Sequence, residues 1–99
     1  MEAKQCQTLS EVRKEIDTLD EQIVALIAAR NAYIKQAAKF KISIEEIKDP
    51  SRVAQVIDRA RSRAFEKGLN PNMITAIYEI MIDEMVESEI LEFRNAKDL

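Results

Sequence analysis

One apolar stripe constrains this chain more than anything else in it. Val12, Ile16, Leu19, Ile23, Leu26, Arg30, Tyr33, Ala37 and Phe40 follow one another in steps of four and three, the spacing of a seam along which one helix packs lengthwise against others. No Gly or Pro falls between Thr8 and Lys41, so nothing in that stretch stops a helix once it has started. A stripe this narrow and this long is buried only against other helices, which points away from strand-rich folds at the outset.

The single Gly and the two Pro of the 99 residues fall where helices should begin and end. Thr8-Leu9-Ser10-Glu11 reads as a capping box, with Ser10 as a rival N-cap, and opens a first helix expected over about residues 9–41. Residues 42–48 mix β-branched side chains with charge and carry no clear period, so an irregular connection is expected there. Asp49-Pro50 then supplies an N-cap and a proline at the first helical position. Val53, Val56, Ile57, Ala60 and Ala64 recur at helical spacing up to Gly68, a natural left-handed C-terminal residue, giving a second helix over about 50–67. Asn70-Pro71 repeats the start signal for a third, over about 71–95, carrying Ile74, Ile77, Tyr78, Met81, Ile82, Met85, Val86, Ile90 and Phe93. The expectation is an all-α fold, a single domain over residues 1–99 with helices long, short and long.

A hydrophobic content of 46% demands a core. A chain this short buries a smaller fraction of its surface than a larger domain does, so a ligand pocket in it favours association with a second copy. The chain has no His, which removes the commonest general base, the commonest zinc ligand and every Ser-His or Cys-His nucleophile. Cys6 stands alone, without a disulfide partner or a nearby base, and the opening MEAKQC carries no apolar run suited to a secretory signal. A reducing cytoplasm is the expectation. No stretch approaches the ~20 apolar residues of a membrane span, and a net charge of -3 gives no general attraction to nucleic acid or anionic lipid. A small-molecule ligand is expected, with no membrane and no nucleic acid.

Against that background a few charges stand out. Arg30 occupies a seam position, and a guanidinium keeps its proton, so burying it requires a fixed partner or a ligand's anion; the bland reading is that it snorkels or pairs with a carboxylate of a neighbouring helix. Lys41 lies eleven residues on and, at about 100° per residue, returns to within ~20° of the same face; taken alone it reads as a solvated charge. Arg13 lies on an adjacent stripe with Asp17 and Asp20, where an ion pair with Asp17 is the simple explanation. At ~1.5 Å per residue Arg13 and Arg30 are separated by ~25 Å along a straight helix, more than a small dianion bridges. If both hold one ligand, Arg13 comes from another chain. Glu89 puts a carboxyl group on the face that carries Ile82, Met85, Val86 and Phe93, where burial favours the protonated form; the alternative is a hydrated place at the edge among Glu84, Glu87 and Glu92. Arg52, Arg59, Arg61 and Arg63 make the second helix locally basic, but Asp49, Asp58 and Glu66 dilute them and a solvated face is expected. There is no Gly-rich phosphate loop, paired metal carboxylate or coenzyme fingerprint, so neither metal nor cofactor is expected.

The segment VRKEIDTLDEQIVALIAARNAYIKQAAKFK, from Val12 to Lys41, resembles the first helix of the all-helical chorismate mutase family in its spacing of Arg, Asp-x-x-Asp, Arg and Lys. The resemblance continues through Asp49-Pro50-Ser51-Arg52, the Gly68-Leu69 break and the third helix. It implies an intertwined chorismate mutase type II homodimer of three-helix subunits with two identical pockets, which agrees with the distance argument for Arg13. It also implies that Arg30 and Lys41 of one subunit, Arg13 of the other and Arg52 hold the carboxylates of chorismate or isochorismate, and that Lys41 and Glu89 are catalytic at the ether oxygen. Reactions of this family are pericyclic, which fits a chain without imidazole, nucleophile, metal or cofactor.

Two branches are open within that resemblance. One rearranges chorismate to prephenate; the other eliminates pyruvate from isochorismate and leaves salicylate. The run from Arg30 to Lys41 is more similar to the lyase branch. Val53 also favours it, because many mutases place there an acidic acceptor for the ring hydroxyl of chorismate and valine accepts no hydrogen bond; Asp49 is the residue that would replace the missing acceptor. The lyase is therefore the expected main activity, with room for weak mutase activity beside it because both reactions break the same ether bond, and a dedicated mutase is the alternative. A non-enzymatic helical dimer or regulatory module, with Arg30 in a buried ion pair, is the rival from another class. Whether residues 42–48 close over the pocket as a lid that brings Lys41 into place is left open by the sequence.

Overall fold

The computed structural model describes residues 2–97. They form three main helices, α1 (Leu9–Ala37), α3 (Pro50–Glu66) and α4 (Pro71–Lys97), with a short α2 (Ile44–Lys48) and a 3-10 turn (Ala38–Phe40) between the first two. No strand occurs among the described residues, as the sequence predicts. The long-short-long order holds, with α1 ending earlier than expected and residues 42–48 containing a helix.

Each boundary has a local cause. At the start of α1 the Thr8 hydroxyl accepts from the Glu11 amide at 3.1 Å, and the Glu11 carboxylate accepts from the Gln7 amide at 2.8 Å. Thr8 therefore wins over Ser10 as the cap. The same device recurs at α2, where the Ser43 hydroxyl accepts from Glu46 N at 3.2 Å and the Glu46 carboxylate accepts from Ile42 N at 2.8 Å. Ser43-Ile44-Glu45-Glu46 is a second capping box, and it is the signal by which α2 was readable in the sequence. Asp49 closes α2 and opens α3, its carboxylate accepting from the Arg52 amide at 3.1 Å with Pro50 at the first helical position. The end of α3 is a Schellman motif: Leu69 N donates to Ala64 O, Gly68 N to Phe65 O, and Gly68 takes φ 76°.

The chain divides into two compact units that meet within α1, one up to Arg30 and the other from Asn31 onward. In the first, the N-terminal segment lies along α1, tied by an ion pair of 3.0 Å between Lys4 and Glu15. Glu15 raises the pKa of the Lys4 ammonium, through their hydrogen bond first and their charges second. Val12, Ile16, Leu19, Ile23 and Leu26 of the seam are all exposed in the single chain. In the second unit α4 is the element against which the 3-10 turn, α2 and α3 all pack. Ala38, Ile47, Ala60 and Ala64 supply the buried contacts of those three elements, and Ile82, Met85 and Ile90 those of α4. The small side chains on α3 allow close helix approach. Among the described residues no helix is long and apolar enough to cross a membrane.

Arg61 departs from the solvated face expected of it. It is half-buried, and one guanidinium nitrogen donates to Thr75 Oγ1 at 2.6 Å, to Asn72 Oδ1 at 3.2 Å and to Pro71 O at 3.3 Å. Three acceptors from the first turn of α4 thus gather on one side chain of α3 and fix the hairpin between the two helices.

Candidate active site

Among the described residues of the second unit one charged side chain is buried in the core, that of Glu89. Helical spacing puts it on the inner face of α4, one turn beyond Met85 and beside Ile90. It is 3% exposed, so the hydrated reading of this residue does not hold. A carboxylate withdrawn from water in this way requires a counter-charge or a proton. Lys41 provides the counter-charge: its Nζ stands 2.8 Å from Glu89 Oε2, with 27% of the lysine side chain exposed. The contact is an ion pair that is not aligned as a hydrogen bond. Lys41 is not the solvated charge that its position alone suggested.

The lysine arrives from outside the regular part of the long helix. α1 ends at Ala37, the 3-10 turn follows, and Lys41 closes that turn in extended backbone at φ -105°, ψ 148°. The tightened turn over Ala38–Phe40 means that the steady 100° advance used to align Lys41 with Arg30 does not run through to Lys41. Ala38 is fully buried and anchors the turn against α4.

The other residues singled out in the sequence are placed as follows. Asp49 and Arg52 come together at the start of α3, but through the Arg52 backbone; the Arg52 guanidinium donates to Gln55 Oε1 at 2.7 Å and is exposed. Val53 is half-buried and lines a groove of about 800 Å³ between α3 and α4, floored by Ile57, Ile82 and Val86 with Lys48, Glu84 and Glu87 at its rim. Arg30 is half-buried and is not without a partner, whereas Arg13 is exposed near the start of α1. On one helix these two remain ~25 Å apart. No group of His, Cys, Asp and Glu suited to a metal ion occurs among the described residues.

An all-helical chain with a Lys–Glu pair just beyond the end of its long helix describes a class of small helical proteins rather than a single one, and comparison with known proteins narrows it. The sequence profile of chorismate mutase type II matches residues 12–90, a span that runs from the beginning of the seam through Lys41 and Glu89. The chain belongs to the chorismate mutase type II family and is an enzyme of that kind. Among its relatives, a chorismate mutase of Methanocaldococcus jannaschii is 37% identical over 76 residues, covering 76% of this chain and 77% of its own length. An isochorismate pyruvate lyase of Pseudomonas aeruginosa is 29% identical over 92 residues, covering 93% of this chain and 91% of its own. A bifunctional chorismate mutase/prephenate dehydratase of Buchnera aphidicola is 31% identical over 75 residues, 75% of this chain and 20% of the longer protein.

Proposed function

We propose that this chain catalyses the rearrangement of chorismate to prephenate, as a homodimer, with Lys41 and Glu89 at the reacting ether oxygen. This ranks the mutase above the lyase expected from the sequence, because the family match is to the mutase and the relative of higher identity bears that name. The observation that carries the proposal is the Lys41–Glu89 pair, a carboxyl group buried in an otherwise apolar core and met there by a part-exposed cation.

The chemistry asks little of the protein beyond placement. A flexible dianionic substrate must be held in its compact conformer, and the ether oxygen gains negative charge as its bond to carbon breaks. In the proposed site Arg30, Arg52 and the partner subunit's copy of Arg13 bind the two carboxylates, and Lys41 gives the ether oxygen a donor with full positive charge. Glu89 can donate a second hydrogen bond there only when it carries a proton. Support for two chains comes from α1, whose exposed seam residues Val12, Ile16, Leu19, Ile23 and Leu26 form a continuous apolar stripe of the kind that a second helix covers.

Elimination of pyruvate from isochorismate is the second reading. It is favoured by Val53, half-buried on the first turns of α3 where no hydrogen bond to a ring hydroxyl is available from its side chain, and by the length of the alignment with the lyase relative. Both reactions break the same bond. Purified protein supplied separately with chorismate and isochorismate separates them: prephenate from the first is the expected product, salicylate as the sole product would promote the second reading, and turnover of neither would leave a non-enzymatic helical dimer.

A further inference from the structure

We propose that Glu46 is a positioning residue for Lys41, acting through the hydrogen bond its carboxylate accepts from the Ile42 amide. The inference rests on the role given to Lys41 under the proposed function.

Lys41 is held in an unusual way. Its neighbours Phe40 and Ile42 are 83% and 84% exposed in the single chain, so within that chain side-chain burial on either side does not fix it. The nearest buried anchors are Ala38, in the 3-10 turn, and Ile47, in α2. Toward Ala38 the chain is tied by the Lys41 amide donating to Ala38 O at 3.4 Å, a long bond. Toward Ile47 it is tied by the 2.8 Å bond from Ile42 N to Glu46 Oε2, with Ser43 Oγ returning the bond from Glu46 N. The bond to Glu46 is shorter and charge-assisted, and it acts on the peptide unit that directly follows Lys41. It fixes the direction in which the chain leaves that residue, and hence where the lysine's Cα–Cβ bond points.

A helix as short as α2 (Ile44–Lys48) is not stable by itself. Its capping box and Ile47 hold it, so the segment expected from the sequence to be irregular is a small prop whose geometry is passed to Lys41 through one amide. A lysine at the reacting bond needs placement to well within an ångström, and loss of the prop changes rate more than binding. The amide oxygen of glutamine also accepts from Ile42 N, so the bond, and not the charge, is what positions the lysine.

The test uses full-length protein with Glu46→Ala, Glu46→Gln and, as a second way of opening the box, Ser43→Ala. Steady-state kinetics with chorismate and isochorismate are combined with amide hydrogen exchange at Ile42 and thermal melts. Glu46→Ala is expected to lower kcat about tenfold with KM changed by less than about threefold, and to speed exchange at Ile42. Glu46→Gln is expected to restore both, and Ser43→Ala to shift both in the same direction by less. Wild-type kcat in Glu46→Ala with accelerated exchange at Ile42 would overturn the inference while leaving the proposed function intact, as would equal losses in Glu46→Ala and Glu46→Gln. Wild-type protein that turns over neither substrate would remove the proposed function, and this inference with it.

Discussion

Lys41 Nζ and Glu89 Oε2 meet at 2.8 Å, one side chain carried by the extended residue after a 3-10 turn and the other by the buried face of the last helix. Their dependence on each other is asymmetric. The lysine keeps some contact with solvent, whereas the carboxylate has almost none, so removing the lysine strands a charge and removing the carboxylate does not. Lys41→Met is expected to destabilise the fold by about 3 kcal/mol, and the double variant Lys41→Met/Glu89→Gln to regain more than half of that. Denaturant unfolding of the two single variants and the double closes the cycle. Additive losses would mean that the pair contributes no coupling.

The same pair sets what a neutral donor in place of the carboxyl group should do. In the proposed reaction Glu89 serves the ether oxygen as a hydrogen-bond donor, and the amide of Glu89→Gln donates there without carrying charge. Glu89→Gln is therefore expected to keep kcat within about threefold of the wild type, and Glu89→Ala to lower it about a hundredfold. Steady-state kinetics of the two variants measure it. Equal rates in both would take Glu89 out of the chemistry.

How much of this was legible beforehand follows from the range of the interactions involved. Helix starts are local: Thr8, Asp49-Pro50 and Asn70-Pro71 announce themselves within four residues, and the left-handed Gly68 does the same for the end of α3. The end of α1 is not announced by any breaker. The next local signal is the capping box of Ser43 and Glu46, which was present in the sequence but sat inside a stretch with no periodicity. Glu89 was visible as a carboxyl group on an apolar face, yet its neighbours Glu84, Glu87 and Glu92 made hydration the simpler reading. Its burial depends on the 3-10 turn, α2 and α3 all converging on α4, and no spacing rule on one helix reports that. Arg61 was missed for the same reason, since its acceptors lie across the hairpin.

Gly68 offers a stability test remote from the pair. Its φ of 76° lies in the left-handed region, and a Cβ added there would meet nothing within 4 Å. Gly68→Ala therefore carries a conformational cost without a steric one, about 1 kcal/mol. A melt a few degrees lower with unchanged kcat is expected. An unaltered melt would show that the Schellman bonds at Gly68 and Leu69 do not depend on glycine.

The proposed two-chain site makes a prediction about mixtures that a one-chain site does not. Arg13 and Arg30 are too far apart along α1 to hold one small dianion from the same helix, so each proposed pocket takes Arg30 from one chain and the partner subunit's copy of Arg13. Arg13→Ala and Arg30→Ala homodimers each lack a required cation in both pockets and are expected to be nearly inactive. When equal amounts are unfolded together and refolded, random pairing makes half of the dimers mixed. In each of these, one pocket combines the intact Arg30 of one chain with the intact Arg13 of the other, while the second pocket lacks both. About a quarter of the wild-type activity per chain should therefore return, a value set by the two-fold symmetry of the assembly alone. Recovery requires exchange of subunits, so the two variants mixed without unfolding should stay inactive for as long as the dimers persist. A mixture that refolds into dimers of full yield and recovers no activity would place both arginines in the same pocket half, and the shared site would have to be abandoned.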